Sequence, residues 1–326
     1  MFSISNLKNV LLIGSATNIS TIYKIVQDQG LKVGVVTSPD QEVEIKGKCP
    51  YSVFPKLDDS FHNFVLSNYP PENTLFVSLG ARWIFKKDVI KLMGNNLVNF
   101  HGSRLPFDAG GGGFSWRILK KDRIDNQLVH LIDEGIDTGP IITSSTSVFP
   151  PNCVTPSDFE YYHRSKFQVF FRDFLIDLVK GVKFPLKNQV DYLGCYNPRL
   201  MTDENGWIDW EWNGEQIVDF INAFDDPYNG ASTIINKERV RLKKCQLHGG
   251  EQGSHPFLTG IIFRKHSDFI VVSTGGRYSI VIEDVLGENG INIVDKLKVG
   301  DRFYTKNQDI YKSRTTRVNY GPNGCI

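Results

Sequence analysis

Asn9-Val10-Leu11-Leu12-Ile13-Gly14-Ser15, with Lys32-Val33-Gly34-Val35-Val36-Thr37 a short distance beyond it, decides the fold. The first run is apolar throughout and ends in small residues, as a strand buried on both faces of a parallel sheet must be. The spacing predicts a helix from Ile19 to Gln29, stopped by Gly30, and then a second buried strand at Lys32 to Thr37. Together these make a βαβ unit of the doubly wound type. Gly14 is followed by Ser15 and Ala16, so the turn lacks the glycine spacing that admits a dinucleotide pyrophosphate.

Working outward, residues 39 to 60 read as loops around a short strand at 51 to 54. Helices are expected at 61 to 67 and at Lys87 to Met93, and strands at Thr74 to Gly80 and at the run ending near Asn99. This alternation predicts a parallel sheet, whose ligands sit at the carboxyl ends of the strands, where Gly80 and His101 fall. Past it lie four consecutive glycines (Gly110 to Gly113), a helix starting at Trp116, a strand at Gln127 to Ile132 and a long helix over 156 to 180. In that helix Phe167, Phe170, Phe171, Phe174, Leu175 and Leu178 make a core stripe at helical spacing. Composition shifts to Tyr, Asn, Pro, Arg and Asp over 192 to 206, which reads as a linker between a domain of residues 1–191 and one of 207–326. The latter shows one helix, Gly214 to Ala223, and short runs at 231–235, 239–242, 259–264, 269–274, 278–286 and 302–304, the pattern of a small antiparallel barrel.

The bulk numbers narrow the function classes. A chain of 326 residues is long enough for two cores, and 37 Lys+Arg against 36 Asp+Glu gives no overall electrostatic case for a polyanionic partner. Five cysteines stand singly, without CxxC pairs, as expected of free thiols in a reducing compartment. The apolar run at Val10 to Ile13 is too short for a signal peptide or a membrane span, so a cytoplasmic protein is expected.

Two segments carry the chemistry: Asn99-Phe100-His101-Gly102-Ser103-Arg104-Leu105-Pro106, and Asp133-Glu134-Gly135-Ile136-Asp137-Thr138-Gly139-Pro140. Asn99 and His101 are two apart on a strand and project from one face. The second segment has the Gly, Asp and Pro of a tight loop, able to bring a carboxylate to the imidazole. An amide N–H can stabilise a developing oxyanion, a histidine can relay a proton near neutral pH, and an aspartate can orient it. Ser103 has no nucleophile-elbow pattern, so the set suits acyl transfer to a nucleophile supplied by the substrate. The alternatives are a polar cluster that merely satisfies loop backbone groups, and a metal site of His101, Asp133 and Asp137, for which no HxH or HExxH pattern exists.

At these residues the chain resembles the folate-dependent formyltransferase family. Asn99-x-His101-x-Ser103-x-Leu105-Pro106 and Asp133-Glu134-Gly135-x-Asp137-x-Gly139 match that family's two signature segments in order and close to the expected distance. Trp116, Gln127 to His130, the helix from 156, Ile208-Asp209-Trp210 and Asp226-Pro227-Tyr228-x-Gly230-Ala231 also fall where the family has comparable residues. The resemblance implies a Rossmann-like α/β catalytic domain followed by a smaller OB-like β-barrel. It further implies N10-formyltetrahydrofolate as formyl donor, no metal, and Asn99, His101 and Asp137 as the catalytic trio. The pterin is then expected in a cleft of Leu79, Gly80, Ala81, Arg82 and Trp83 with Ile132, Asp133, Glu134 and Gly135. Residues 196–326 hold 16 Lys+Arg and 17 Asp+Glu, a net of −1, whereas a tRNA-binding barrel is expected to be basic. A nucleotide-linked deoxyamino sugar, as used for surface glycans, is therefore the expected acceptor, and no nucleic acid is favoured. Ser103, Gly111, Gly112, Tyr192, Tyr196 and Arg199 are the residues expected to meet it. Methionyl-tRNA formyltransferase is the alternative enzyme. A non-catalytic folate- or nucleotide-binding protein is the alternative of another class, expected to show a broken trio where this one is intact. The sequence leaves a homodimer open.

Overall fold

A computed structural model describes the chain except for residues 112, 191–193, 250–254, 319, 322, 323 and 326. The chain divides into two compact units, one of Met1–Ala109, Ile124–Val148 and Tyr162–Cys195, the other of Gly110–Arg123, Phe149–Tyr161 and Tyr196–Ile326. Residues 110–123 and 149–161 thus cluster with the C-terminal part of the chain, although they lie within the 1–191 segment.

The first unit is built on a seven-stranded sheet. In spatial order its strands are Ser52–Val53, Lys32–Thr37, Asn9–Gly14, Thr74–Leu79, Leu97–His101, Ile124–Leu131 and Ile141–Val148. The first five are mutually parallel, as their alternation with helices predicts, and the sixth runs antiparallel to both of its neighbours, so the sheet as a whole is mixed. Only nine residues separate Leu131 from Ile141, too few for the crossover that a parallel pair requires. All six residues of Asn9–Gly14 are buried. Val10 and Leu12 face a cluster with Phe171, Phe174, Leu175 and Leu178 of the helix Pro156–Val179, and Leu11 and Ile13 face Phe61, Val65, Phe76 and Val89. This alternation is the two-residue period of a strand covered on both sides, at roughly 1.5–3 kcal/mol per buried aliphatic side chain.

Gly14 closes its strand with φ +112, and a Cβ there would strike the Leu79 carbonyl oxygen and the Ala81 nitrogen. The glycine admits the neighbouring strand end and holds the Gly80–Trp83 loop close to the sheet.

In the second unit an antiparallel sheet orders Ala231–Ile235, Glu238–His248, Ser279–Leu286, Ile270–Ser273 and Ile262–Lys265. Bridges Ile234 to Tyr304 and Ile261 to Arg302 join residues 302–304 to both of its sides and close it into the expected barrel-like form. The helix Gly214–Ala223 starts with a capping box, in which the Asn213 side chain accepts from the Gln216 N–H and Gln216 reaches back to the Asn213 N–H. The helix Gly113–Leu119 packs on it, with the Ser115 hydroxyl donating to the Ala223 carbonyl over 2.7 Å. A further helix at Asn307–Thr315 is mostly polar and lies where sequence periodicity indicated none.

Candidate active site

The strand Leu97–His101 delivers two polar side chains because its other residues are tied down. Phe100 sits among Phe167, Phe170, Phe171 and Phe174 with ring centroids 5.1–5.9 Å apart, while Leu97 enters the opposite core cluster. Asn99 and His101 stay half-buried on the side of Leu97. The antiparallel neighbour pairs Asn99 directly with His130. His130 is 1% exposed, and its Nδ1–H donates to the Leu131 carbonyl over 2.8 Å. Nδ1 therefore carries a proton, and the Asn99 Nδ2 lies 3.1 Å from Nε2.

Asp137 completes the corner. Its Oδ1 lies 3.5 Å from Asn99 Nδ2, 3.7 Å from His130 Nε2 and 3.8 Å from His101 Nδ1. Partial burial pushes the carboxyl up, but the His130 and His101 rings more than offset this, and its pKa falls below the usual carboxylate range. Asp137 has φ +57, a left-handed conformation that Asp tolerates better than most residues. The loop holds it there. Gln189 Nε2 donates to the carbonyls of Asp137 and Gly139 over 2.8 and 2.7 Å, and the Asp133 carboxylate accepts from the Gly135 N–H and the Thr138 hydroxyl.

The trio opens into a cavity of about 340 Å³ within the first unit, at the low end of small-molecule sites. Of the residues expected to hold a pterin, Gly80, Ala81, Trp83, Ile132, Asp133 and Gly135 line it, and Ile84 and Ile136 expose large apolar side chains beside it. Leu79, Arg82 and Glu134 are not on its wall: Leu79 is buried, Arg82 faces Asp40 at 3.4 Å and Glu134 faces Lys87 at 3.5 Å. His130, on the wall, is the participant that its own stretch of sequence did not disclose. The signals were a lone imidazole inside the apolar run Leu128 to Ile132 and the place of Gln127 to His130 in the family resemblance.

His101, His130 and Asp137 each offer a ligand-type atom, all within 4.8 Å of one another. The Asn99 Nδ2 lies at hydrogen-bonding distance from two of these atoms, and an N–H donor in that position opposes a cation while it suits proton transfer and oxyanion stabilisation.

The residues expected to meet the acceptor are divided between the units. The Ser103 carbonyl accepts from Asn126 in the first. In the second, Gly111 donates its N–H to Asn197 over 2.9 Å and lies against Arg199, while Tyr196 is exposed. Gly110, with φ +101, leaves no room for a Cβ beside the Asn197 carbonyl, so the close approach it permits is to its own chain. Gly112 and Tyr192 lie outside the described residues.

The formyl transferase C-terminal domain matches residues 200–295. In sequence, the methionyl-tRNA formyltransferase of Thermodesulfovibrio yellowstonii is 25% identical over 226 residues, 68% of each chain. The fold matches an N-formyltransferase from Helicobacter canadensis, crystallised with folinic acid and dTDP-3-aminofucose, at a TM-score of 0.65 and 17% identity, covering 85% of this chain and 99% of that one. The sequence and fold similarities both point to formyltransferases, the family that the two signature segments resemble. A second formyltransferase of this fold, WlaRD, a sugar 3-N-formyltransferase crystallised with dTDP and 5-N-formyltetrahydrofolate, has a TM-score of 0.59 and 18% identity over 86% of this chain and 98% of its own.

Proposed function

We propose that this chain transfers a formyl group from N10-formyltetrahydrofolate to the amine of a nucleotide-linked deoxyamino sugar, in the cytoplasm, for a surface glycan. The observation that carries the reading is the corner of Asn99, His101 and Asp137 at one end of a largely apolar cavity. It holds an oxyanion donor and a proton relay, and no serine or cysteine is among these three residues, which is the equipment of acyl transfer between two bound molecules. In this scheme the acceptor amine adds to the formyl carbon. Asn99 turns the N–H of its long 3.5 Å contact toward the developing oxyanion. His101 takes the proton that the amine loses and returns it to N10 as the carbon–nitrogen bond to the folate breaks. Asp137 holds His101 throughout. Trp83, Ile84, Ile132 and Ile136 offer apolar surface for the flat pterin.

Amino-sugar nucleotides are favoured over tRNA because residues 196–326 carry a net charge of −1, and because the related folds crystallised with dTDP ligands span almost their whole length in the match. Methionyl-tRNA is the second reading, favoured by the curated sequence relatives. Purified protein given the donor and a panel of 3- and 4-amino-sugar nucleotides is expected to yield an N-formyl product with at least one of them. Formylation of charged initiator tRNA and of none of the sugars would overturn the acceptor assignment.

A further inference from the structure

The second unit contains a separate cavity of about 400 Å³, and Arg199, one of the residues expected to meet the acceptor, is on its wall. Its walls carry the half-buried rings of Trp116, Trp207 and Trp212 and the side chains of Arg199, Arg314 and Arg317. No carboxylate is among the described residues that line it.

Contacts among neighbouring residues hold this arrangement in place. Trp116 Nε1 donates to the Pro198 carbonyl and Lys120 Nζ to the Asn197 side chain, both over 2.7 Å, so the segment leading to Arg199 is clamped to the helix Gly113–Leu119. The Arg239 guanidinium lies 4.6 Å from the centroid of Trp207 and fixes its plane. Trp212 packs on Phe220 at 4.9 Å, with Arg314 at 5.8 Å from its ring. Arg314 is in turn paired with Asp209 over 2.7 Å, so part of its charge is already matched. Arg199 and Arg317 are both exposed on the same wall.

Flat aromatic faces beside guanidinium groups fit a planar ring attached to an anion. We infer that this cavity binds a nucleoside diphosphate, its base against the tryptophan rings and its phosphates on Arg199 and Arg317. Folate is the other planar anion in the scheme, but its carboxylates call for less positive charge, and the first cavity, lined by Trp83 with Asp133 and Asp137 and, among the described residues, by no lysine or arginine, suits a neutral pterin. The choice of a nucleotide rests on the acceptor class proposed above, while the cavity and its charge pattern stand apart from it.

The test uses the full chain with Trp83→Phe, which removes the tryptophan of the first cavity from the signal. UDP and dTDP are titrated while tryptophan fluorescence and heat are recorded, with folinic acid as competitor. The expected result is saturable quenching by at least one nucleotide, no displacement by folinic acid, and a dissociation constant raised at least tenfold in Arg199→Gln/Arg317→Gln. Both arginines are exposed, so that variant should melt at the parent temperature; Trp116→Phe should keep the affinity that Trp116→Ala loses. Undiminished nucleotide affinity in the double arginine variant, displacement by folinic acid, or no quenching at millimolar nucleotide would each overturn the inference. Formylation of amino-sugar nucleotides is measured separately. Its absence alongside arginine-dependent nucleotide binding would defeat the acceptor reading and leave the site standing, whereas formylation with binding indifferent to the arginines would do the reverse.

Discussion

Asp137→Asn isolates the charge at the centre of the trio. The substitution keeps the shape of the side chain, and asparagine accepts the left-handed backbone at φ +57 as readily as aspartate, so the loop should stay in place. What disappears is a negative charge 3.8 Å from His101 Nδ1. At an effective dielectric of about 20, a unit pair at that distance is worth roughly 4 kcal/mol. The Asp137 side chain is 31% exposed, which reduces this to roughly 2 kcal/mol after screening. At 1.4 kcal/mol per factor of ten, turnover should fall about 30-fold from the lost charge, and toward 100-fold once His101 also loses its orienting partner. The assay is steady-state formylation with donor and acceptor varied separately, together with a melting curve. Turnover should drop while the donor KM stays within about threefold, since in the proposed scheme Asp137 acts on the proton relay. The folded-state pKa of Asp137 is lowered, so its contribution to stability is present above the ordinary aspartate pKa and is lost as pH falls through the folded value. The parent should therefore lose more stability than the variant on going from pH 5 to pH 3. A folded Asp137→Asn enzyme with turnover within threefold of the parent would refute the role given to the carboxylate.

Three further outcomes follow from the same geometry. His130→Ala removes a buried ring 3.1 Å from the Asn99 amide and should cost about 2–4 kcal/mol of stability in chemical denaturation together with at least a tenfold loss of turnover; a stable, fully active variant would show that His130 does not position the amide. Gly110→Ala forces a Cβ into the Asn197 carbonyl at φ +101, and should lower stability by at least about 1–2 kcal/mol, read as a drop in melting temperature; an unchanged melt would mean the loop has another way to accommodate it. Activity should rise between about pH 6 and 8, because His101 and the acceptor amine must both be able to lose a proton, and a flat profile across that range would count against a proton relay.

Much of this was legible in the chain because it rests on local rules. The run Asn9–Gly14 and the helix and strand after it form as their apolar spacing requires, as do Lys87–Met93 and Gly214–Ala223. The Asn99–His101 spacing placed both side chains on one face of a strand, and the Gly- and Asp-rich segment after Leu131 made a loop that carries Asp137 to them. The helix Asn307–Thr315 escaped because it is largely polar and presents no apolar stripe.

The sequence by itself determined the strand and helix succession and the two polar segments, because hydrophobic period and turn chemistry act over a few neighbouring residues. Only the tertiary structure decided that the sheet reverses direction after Leu97–His101, and with it that His130 lies across from Asn99, since strand register is set between residues 31 positions apart. The glycines 110 and 111 have the same lesson. They let the backbone lie against Asn197 and Arg199, a contact between segments more than 80 residues apart that no local pattern encodes.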